Sequence, residues 1–257
     1  MLRDQRIEKI KTIMLQERNI DVATLSDKTG VSQVTIRKDL EMLDQEGFLI
    51  KTHGGAVLSE KEMLNTLGHS DRNISQVEAK EKIAKLAVRL IQDGDSVFLS
   101  AGSTCYLLSQ QFATKSHLRV VTNNVNAIQP LFSHVQNVMI IGGDVSEKDG
   151  MFAVGDTTYN FMDDIYVNIA FISVDGVDLD GGFTVNDRQK VQLFKYLKSK
   201  AEKIVILADS AKFNKREMYR LGDIDFAHCV VSDEKIEAKY LESFFSNNIK
   251  ALTSYDF

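Results

Sequence analysis

Six short apolar runs punctuate the chain between residues 96 and 231: Ser96–Leu99, Leu118–Val121, Val138–Ile141, Ile169–Val174, Lys203–Leu207 and His228–Val231. Runs of this length, bounded by Gly, Asn, Asp and Ser, suit buried strands. Segments with helical periodicity lie between them, at about Cys105–Ala113, Val125–Leu131 and Lys190–Ala201. Strands that alternate with helices are joined by crossovers and therefore run parallel, so the pattern predicts an α/β fold with a mainly parallel sheet and ligand loops at its strand ends.

The chain ahead of that pattern is organised differently. Ile7, Ile10, Ile13 and Met14 form one apolar stripe on a first helix, and Asp21 caps a short second helix, Val22 to Lys28, with Val22 and Leu25 inward. Gly30-Val31-Ser32 then ends one helix and starts another: Gly tolerates the left-handed conformation, and Ser32 supplies a cap. The third helix, roughly Gln33 to Gln45, buries Ile36, Leu40 and Leu43. It presents Gln33, Val34, Thr35, Arg37 and Lys38, side chains suited to reading base edges in a major groove. Asp39, Glu41, Asp44 and Glu46 follow, and phosphates would repel them, so only the N-terminal half of that helix should approach DNA. After Gly47, an apolar strand from Phe48 to Ile50, a glycine turn and an apolar return to Val57 read as a wing, with Lys51, Thr52 and His53 at or beside its tip.

The small winged helix-turn-helix domain is accordingly placed at residues 1–57. Periodicity weakens over 58–76, which reads as a linker, and resumes at Ala79 to Ile91, so the larger domain is placed at 77–257.

Within that larger domain, Ser100-Ala101-Gly102-Ser103-Thr104 joins the first strand to a helix, bringing backbone amides and hydroxyls to a helix N-terminus that would cradle an anion. A plain helix cap would use the same residue types. Asn123 ends the second strand, Gly142 and Gly143 the third; Asp175, Gly181 and Gly182 follow the fourth, and Lys212 the fifth. Together they describe one loop-built pocket.

Two sets of motifs resemble the DeoR family of bacterial repressors. In the first sixty residues they are Val31-Ser32, Thr35-Ile36-Arg37-Lys38-Asp39-Leu40 and His53-Gly54-Gly55-Ala56; later come AGST, VVTNN, IGGDV, DGVDLDGGFT and ILADSAKF, in that order. The resemblance implies a sensor domain related to ribose-5-phosphate isomerase that binds a phosphorylated sugar. Gly102, Ser103 and Thr104 would then hold the phosphate, Asn123 and Asp175 would meet hydroxyls, and Lys212 would close the pocket. DNA-binding Ser32, Gln33, Val34, Thr35, Arg37, Lys38, Lys51, Thr52 and His53 would act on double-stranded operator DNA as a repressor's reading head.

The chain departs from the family pattern in two places. Ser100-Ala101 stands where many relatives have an aspartate, and after Thr184 the usual glutamates are replaced, leaving Gln189 and Lys190. A sugar-phosphate isomerase with an accessory DNA-binding domain is the rival reading, and it needs a carboxylate base. Gln189 and Lys190 supply none, and Asp187 reads as a helix cap, so no catalytic residue is expected. The same changes would suit a more anionic effector. A ligand-binding adaptor that has lost DNA binding is the third reading.

Composition bounds the rest. The formal net charge of -5 argues against non-specific coating of nucleic acid but allows a local basic face. Cys105 and Cys229 are the only cysteines and lack metal-ligand spacing, so no zinc site, disulfide framework or cofactor is expected. The charged N-terminus lacks a signal peptide's apolar core, and no run is long enough for a bilayer, which predicts a cytoplasmic protein without membrane partners. Palindromic operators imply at least a homodimer. Leu241, Phe244 and Phe245 could serve either a subunit contact or the core.

Overall fold

The computed structural model describes residues 3–59, 62, 74–146, 152–155, 158 and 162–253. The chain divides into two compact units, Met1–Arg72 and Asn73–Phe257.

The first unit runs α1 (Arg3–Glu17), β1 (Asn19–Asp21), α2 (Val22–Thr29), α3 (Gln33–Gln45), β2 (Leu49–Lys51) and β3 (Gly55–Leu58). Ile7, Ile10, Ile13 and Met14 of α1 pack with Val22 and Leu25 of α2 and with Ile36, Leu40 and Leu43 of α3 in one core. The caps form as their residue types predict. Asp21 accepts the Thr24 N–H (2.8 Å), and Gly30 ends α2 with φ +74° and its N–H on the Ser26 carbonyl. Ser32 accepts the Thr35 N–H (3.3 Å) at the start of α3, a bond type that contributes about 1 kcal/mol. Gly47, at φ +72°, turns the chain into the wing.

One element of this unit was not predicted. β1 pairs antiparallel with β3, Ile20 opposite Ala56, so the wing is a three-stranded sheet in the order β1-β3-β2. A single apolar residue in a three-residue strand carries no alternation to detect. The pairing also explains Gly55, where an added Cβ would lie 2.1 Å from the Ile20 carbonyl oxygen.

The second unit opens with α4 (Ile74–Ala87), which starts inside the segment read as linker. There follow β4 (Ser96–Leu99), α5 (Ser103–Gln110), β5 (Arg119–Thr122), α6 (Ile128–His134), β6 (Asn137–Ile140), the hairpin β7 (Asp144–Ser146) and β8 (Phe152–Val154), and β9 (Val167–Ser173). The chain continues through β10 (Gly176–Asp178), β11 (Gly182–Val185), α7 (Arg188–Leu197), β12 (Ala201–Leu207), β13 (Tyr219–Gly222), β14 (Cys229–Val231), α8 (Ala238–Ser246) and β15 (Lys250–Leu252).

Seven of these strands form a wholly parallel sheet in the order β15-β14-β12-β9-β4-β5-β6. Each of the six predicted runs falls on a strand, and β15 is the one edge strand they did not include. Strand residues Phe98, Ala170, Ile172, Ile204, Ile206 and Val230 pack against Leu193, Phe194 and Leu197 of α7 and against Tyr240 and Phe244 of α8. Leu241 also packs on this core, whereas Phe245 is 84% exposed, so Leu241 and Phe244 belong to the unit's own interior.

The strand order reverses between β4 and β9: the chain steps outward from β4 through β5 to β6, returns beside β4 as β9, and steps outward the other way. In open parallel sheets such a reversal opens a crevice at the carboxyl ends of the two strands. Residues 175–184, read from sequence as a pocket loop, build the antiparallel β10–β11 hairpin instead, with β13 as its third strand.

Candidate DNA interface and effector site

On the first unit, Ser32, Gln33, Val34, Arg37 and Lys38 are exposed and Thr35 is half-buried. Arg37 and Lys38 make no ion pair among the described residues. Val34 is 63% exposed, an apolar side chain of a kind that meets a thymine methyl. The Ser32 and Thr35 hydroxyls are 3.0 Å apart, so both belong to the cap. Lys51, Thr52 and His53 are exposed; Thr52 closes the wing turn by accepting the Gly55 N–H (3.1 Å).

Of the acids that follow along α3 and at its end, Glu41, Asp44 and Glu46 are exposed, and Asp39 alone departs from a solvated carboxylate. Asp39 is buried, 3% exposed, and paired with Arg6 of α1. Glu41 pairs with Lys51 (3.2 Å), Asp44 accepts the Lys51 N–H (3.2 Å), and Glu46 lies 3.8 Å from Lys11. Each carboxylate ties α3 to α1 or to the wing. Periodicity could not reveal this for Asp39, because its partner lies on another helix.

On the second unit, the reversal point gathers buried polar groups. Ser100, at the end of β4, accepts the Ser173 N–H from the end of β9 (3.0 Å). Asn123 Oδ1 accepts the Ala101 N–H (2.9 Å), and Asn124 Nδ2 donates to the carbonyls of Ser100 (3.3 Å) and Gly102 (3.2 Å). Asn124 Oδ1 is buried with no hydrogen-bond partner among the described residues. Two neighbouring asparagines thus hold the loop from β5.

Gly102 has φ +130°, and a Cβ there would lie 2.9 Å from Ser173 Cβ. It precedes α5, which has no side-chain cap, so the first-turn amides at Ser103 and Thr104 face the loop without an internal acceptor. Free first-turn amides of this kind are the groups an anion would meet at a helix start. Cys105 lies beneath it, 3.4 Å from both Ser100 Oγ and Ser173 Oγ, and burial pushes its thiol pKa up.

Asp175 follows β9, accepts the Asn186 N–H (3.1 Å) and lies 3.9 Å from buried Lys190. Asp187 caps α7 by accepting the Gln189 N–H (2.7 Å). Lys212 ends the short turn after β12, and Asp209 in the same loop lies 4.0 Å from buried Lys80 of α4. Lys80 and Ser173 were not singled out from sequence, and Lys190 was read as added positive charge for an effector, not as a buried partner of Asp175; a lysine among charged neighbours carries no sign of burial.

The remaining glycines do packing work. At Gly142 a Cβ would lie 2.3 Å from Ala153 Cβ, and Gly143 sits against Gly155. Gly181 lies under the Arg216 side chain, and at Gly182 a Cβ would lie 2.1 Å from the Gly222 carbonyl oxygen. The structure brings Gly102, Ser103, Thr104, Asn123 and Asp175 around the β4–β9 reversal, with Lys212 in the turn that follows β12, the next strand out. It places Gly142 and Gly143 at the sheet's β6 edge and Gly181 and Gly182 in the hairpin.

A three-helix unit with an exposed reading face and a wing, followed by a separate parallel α/β unit, defines a helix-turn-helix transcriptional regulator with a sensor domain. Residues 6–62 match the DeoR-like helix-turn-helix domain, and residues 75–234 match the DeoR C terminal sensor domain. The chain belongs to the DeoR family and is a DNA-binding regulator, not an enzyme. It is 28% identical over 234 residues to the glycerol-3-phosphate regulon repressor of Escherichia coli strain K12, covering 91% of this chain and 92% of that one. It is 29% identical over 252 residues to the lactose phosphotransferase system repressor of Lactococcus lactis, covering 95% and 96%. Among solved structures it is similar to ribose 5-phosphate isomerase A from Methanocaldococcus jannaschii, with TM-score 0.39, 19% identity and 55% of each chain covered. No helix among the described residues is long and apolar enough to cross a membrane.

Proposed function

We propose that the chain is a cytoplasmic repressor of a sugar-metabolism operon, at least dimeric, whose affinity for operator DNA is set by a phosphorylated sugar bound where β4 and β9 end. The observation that carries the effector half is the start of α5: an uncapped helix N-terminus behind a positive-φ glycine, braced by two buried asparagines. The named repressors of the glycerol-3-phosphate regulon and the lactose phosphotransferase system support the same reading.

In this reading Gln33, Val34, Thr35, Arg37 and Lys38 meet base edges and phosphates, and Lys51, Thr52 and His53 follow the flanking backbone. Gly102, Ser103 and Thr104 hold the phosphate, and Asp175 and Lys212 flank the sugar. Asn123 acts mainly by holding the loop, since its Oδ1 already accepts from Ala101. The preference for a more anionic effector is tempered by Asp175, whose carboxylate offsets the charge of Lys190.

Duplexes selected by the full-length protein from a random library would supply the operator. Gel shifts would then be run with and without each of a panel of mono- and bisphosphorylated sugars, beside a thermal-shift screen. At least one sugar phosphate is expected to raise Tm and to weaken operator binding, with reciprocal weakening of its own affinity by DNA. No selected duplex would sink the DNA half; a panel that moves neither Tm nor operator affinity would sink the effector half.

A further inference from the structure

Arg6 of α1 grips Asp39 of α3 with two parallel hydrogen bonds, Nε to Oδ2 at 2.6 Å and Nη2 to Oδ1 at 3.1 Å. The side chains are 14% and 4% exposed. Asp39 directly follows Arg37 and Lys38 and directly precedes Leu40, so the grip lies at the boundary between the exposed face and the buried one. The apolar contacts of Ile36, Leu40 and Leu43 determine which face of α3 turns inward, but such contacts are non-directional and tolerate a small roll of the helix. A planar guanidinium–carboxylate fork does not tolerate it. The other ion pairs at this helix, Glu41–Lys51 and Glu46–Lys11, join more exposed side chains in single contacts and constrain the helix less.

We infer that Arg6 and Asp39 are positioning residues for base reading: they touch no DNA, and their fork sets the roll of α3 so that Gln33, Val34, Arg37 and Lys38 meet base edges in register. The inference rests on α3 being the reading helix. Its signature is a loss of discrimination, because phosphate contacts survive a small roll and base contacts do not.

The test uses full-length protein carrying Asp39→Asn or Arg6→Lys, with fluorescence anisotropy on the selected operator and on a scrambled duplex of equal length. Circular dichroism and a urea titration establish that each variant is folded at the assay temperature. Asp39→Asn is expected to reduce the ratio of scrambled to operator Kd by about tenfold, the loss of one well-placed base contact. Scrambled-duplex Kd should stay within about twofold, since it reads phosphate contacts. Arg6→Lys, which keeps charge without the fork, should fall between Asp39→Asn and wild type. An unchanged ratio in folded protein, or equal weakening toward both duplexes, would overturn the inference; if Asp39→Asn does not fold, Arg6→Lys alone decides by the same criteria. Arg37→Ala separates the two levels: if it leaves operator binding intact, the reading-helix assignment fails, and if it weakens binding while the fork variants keep full discrimination, only the positioning role fails.

Discussion

The Asn123 carboxamide accepts the backbone N–H of Ala101 at 2.9 Å, so the end of β5 holds the loop that leaves β4. Asn123 is 1% exposed, and Asn123→Ala would leave that amide unpaired. We expect a loss of about 1–3 kcal/mol in urea unfolding, the penalty for a buried unsatisfied donor. Asn123→Asp keeps the acceptor but sets a negative charge beside the anion site. It should lower sugar-phosphate affinity in calorimetry more than it lowers stability, and the reverse order would contradict the proposed site.

Gly102→Ala combines an unfavourable φ with a contact 2.9 Å from Ser173 Cβ. The strain is on the order of 1–3 kcal/mol. The variant is expected to lose the sugar-phosphate Tm shift while still binding operator, because the first unit carries the reading face. Retention of a full Tm shift would place the phosphate elsewhere.

Lys80 and Lys82 tie α4 to two loops at the same end of the sheet: Lys80 lies 4.0 Å from Asp209, and Lys82 donates to Glu234 at 2.6 Å. Ser210 joins those loops by donating from N and Oγ to Asp233 (2.6 and 2.9 Å). α4 is the first described element of the second unit, so its ties to these loops make it the candidate link between effector binding and operator binding. Lys80→Gln should therefore change the effect of the sugar phosphate on operator Kd by roughly 0.5–2 kcal/mol of coupling. Gel shifts with and without the sugar found in the thermal screen measure it, and unaltered coupling would exclude this route.

The Arg216 guanidinium, and after it the Gly181 N–H, hold the Asp178 carboxyl below its ordinary range. A carboxylate whose folded pKa is depressed contributes stability that is present above its unfolded pKa, about 3.9, and lost as pH falls through the lower folded value. Urea midpoints measured from about pH 6 down to about pH 3 should fall more steeply for wild type than for Asp178→Asn. Parallel curves would assign the acid sensitivity to other groups.

Burial raises the Cys105 thiol pKa, and Cys229 is buried as well. Iodoacetamide at mildly alkaline pH is expected to modify neither until denaturant is added, with mass spectrometry of peptides as the readout. Rapid native labelling of Cys105 would mean that the β4–α5 loop opens readily.

Much of this was legible because local rules and tertiary demands agree. Ile36, Leu40 and Leu43 repeat at helical spacing, Asp21 and Ser32 are cap residues, and the runs at 96–99 and 203–207 match strands buried on both faces. Illegible features depend on partners distant in sequence. Asp39 looks like a solvated acid until Arg6 lies beside it, Lys80 like a surface lysine until Asp209 does, and Lys190 like charge held for an effector until Asp175 faces it. Gly181-Gly182 suggested a ligand loop, yet the close approach of Gly222 shows a packing need there. Glycine reports that something comes near, not what.

The pairing of β1 with β3 also bears on how the protein is made. Asn19 meets Val57 and Asp21 meets Gly55, so a segment near the start of the first unit completes its sheet only with one near its end. During synthesis the chain emerges N-terminus first, and β1 leaves the ribosome well before its partner β3 exists. The sheet of the reading head is therefore completed last, once the wing has emerged. A nascent chain stalled short of Leu58 would carry the recognition helix and its Arg6–Asp39 fork without a completed wing sheet.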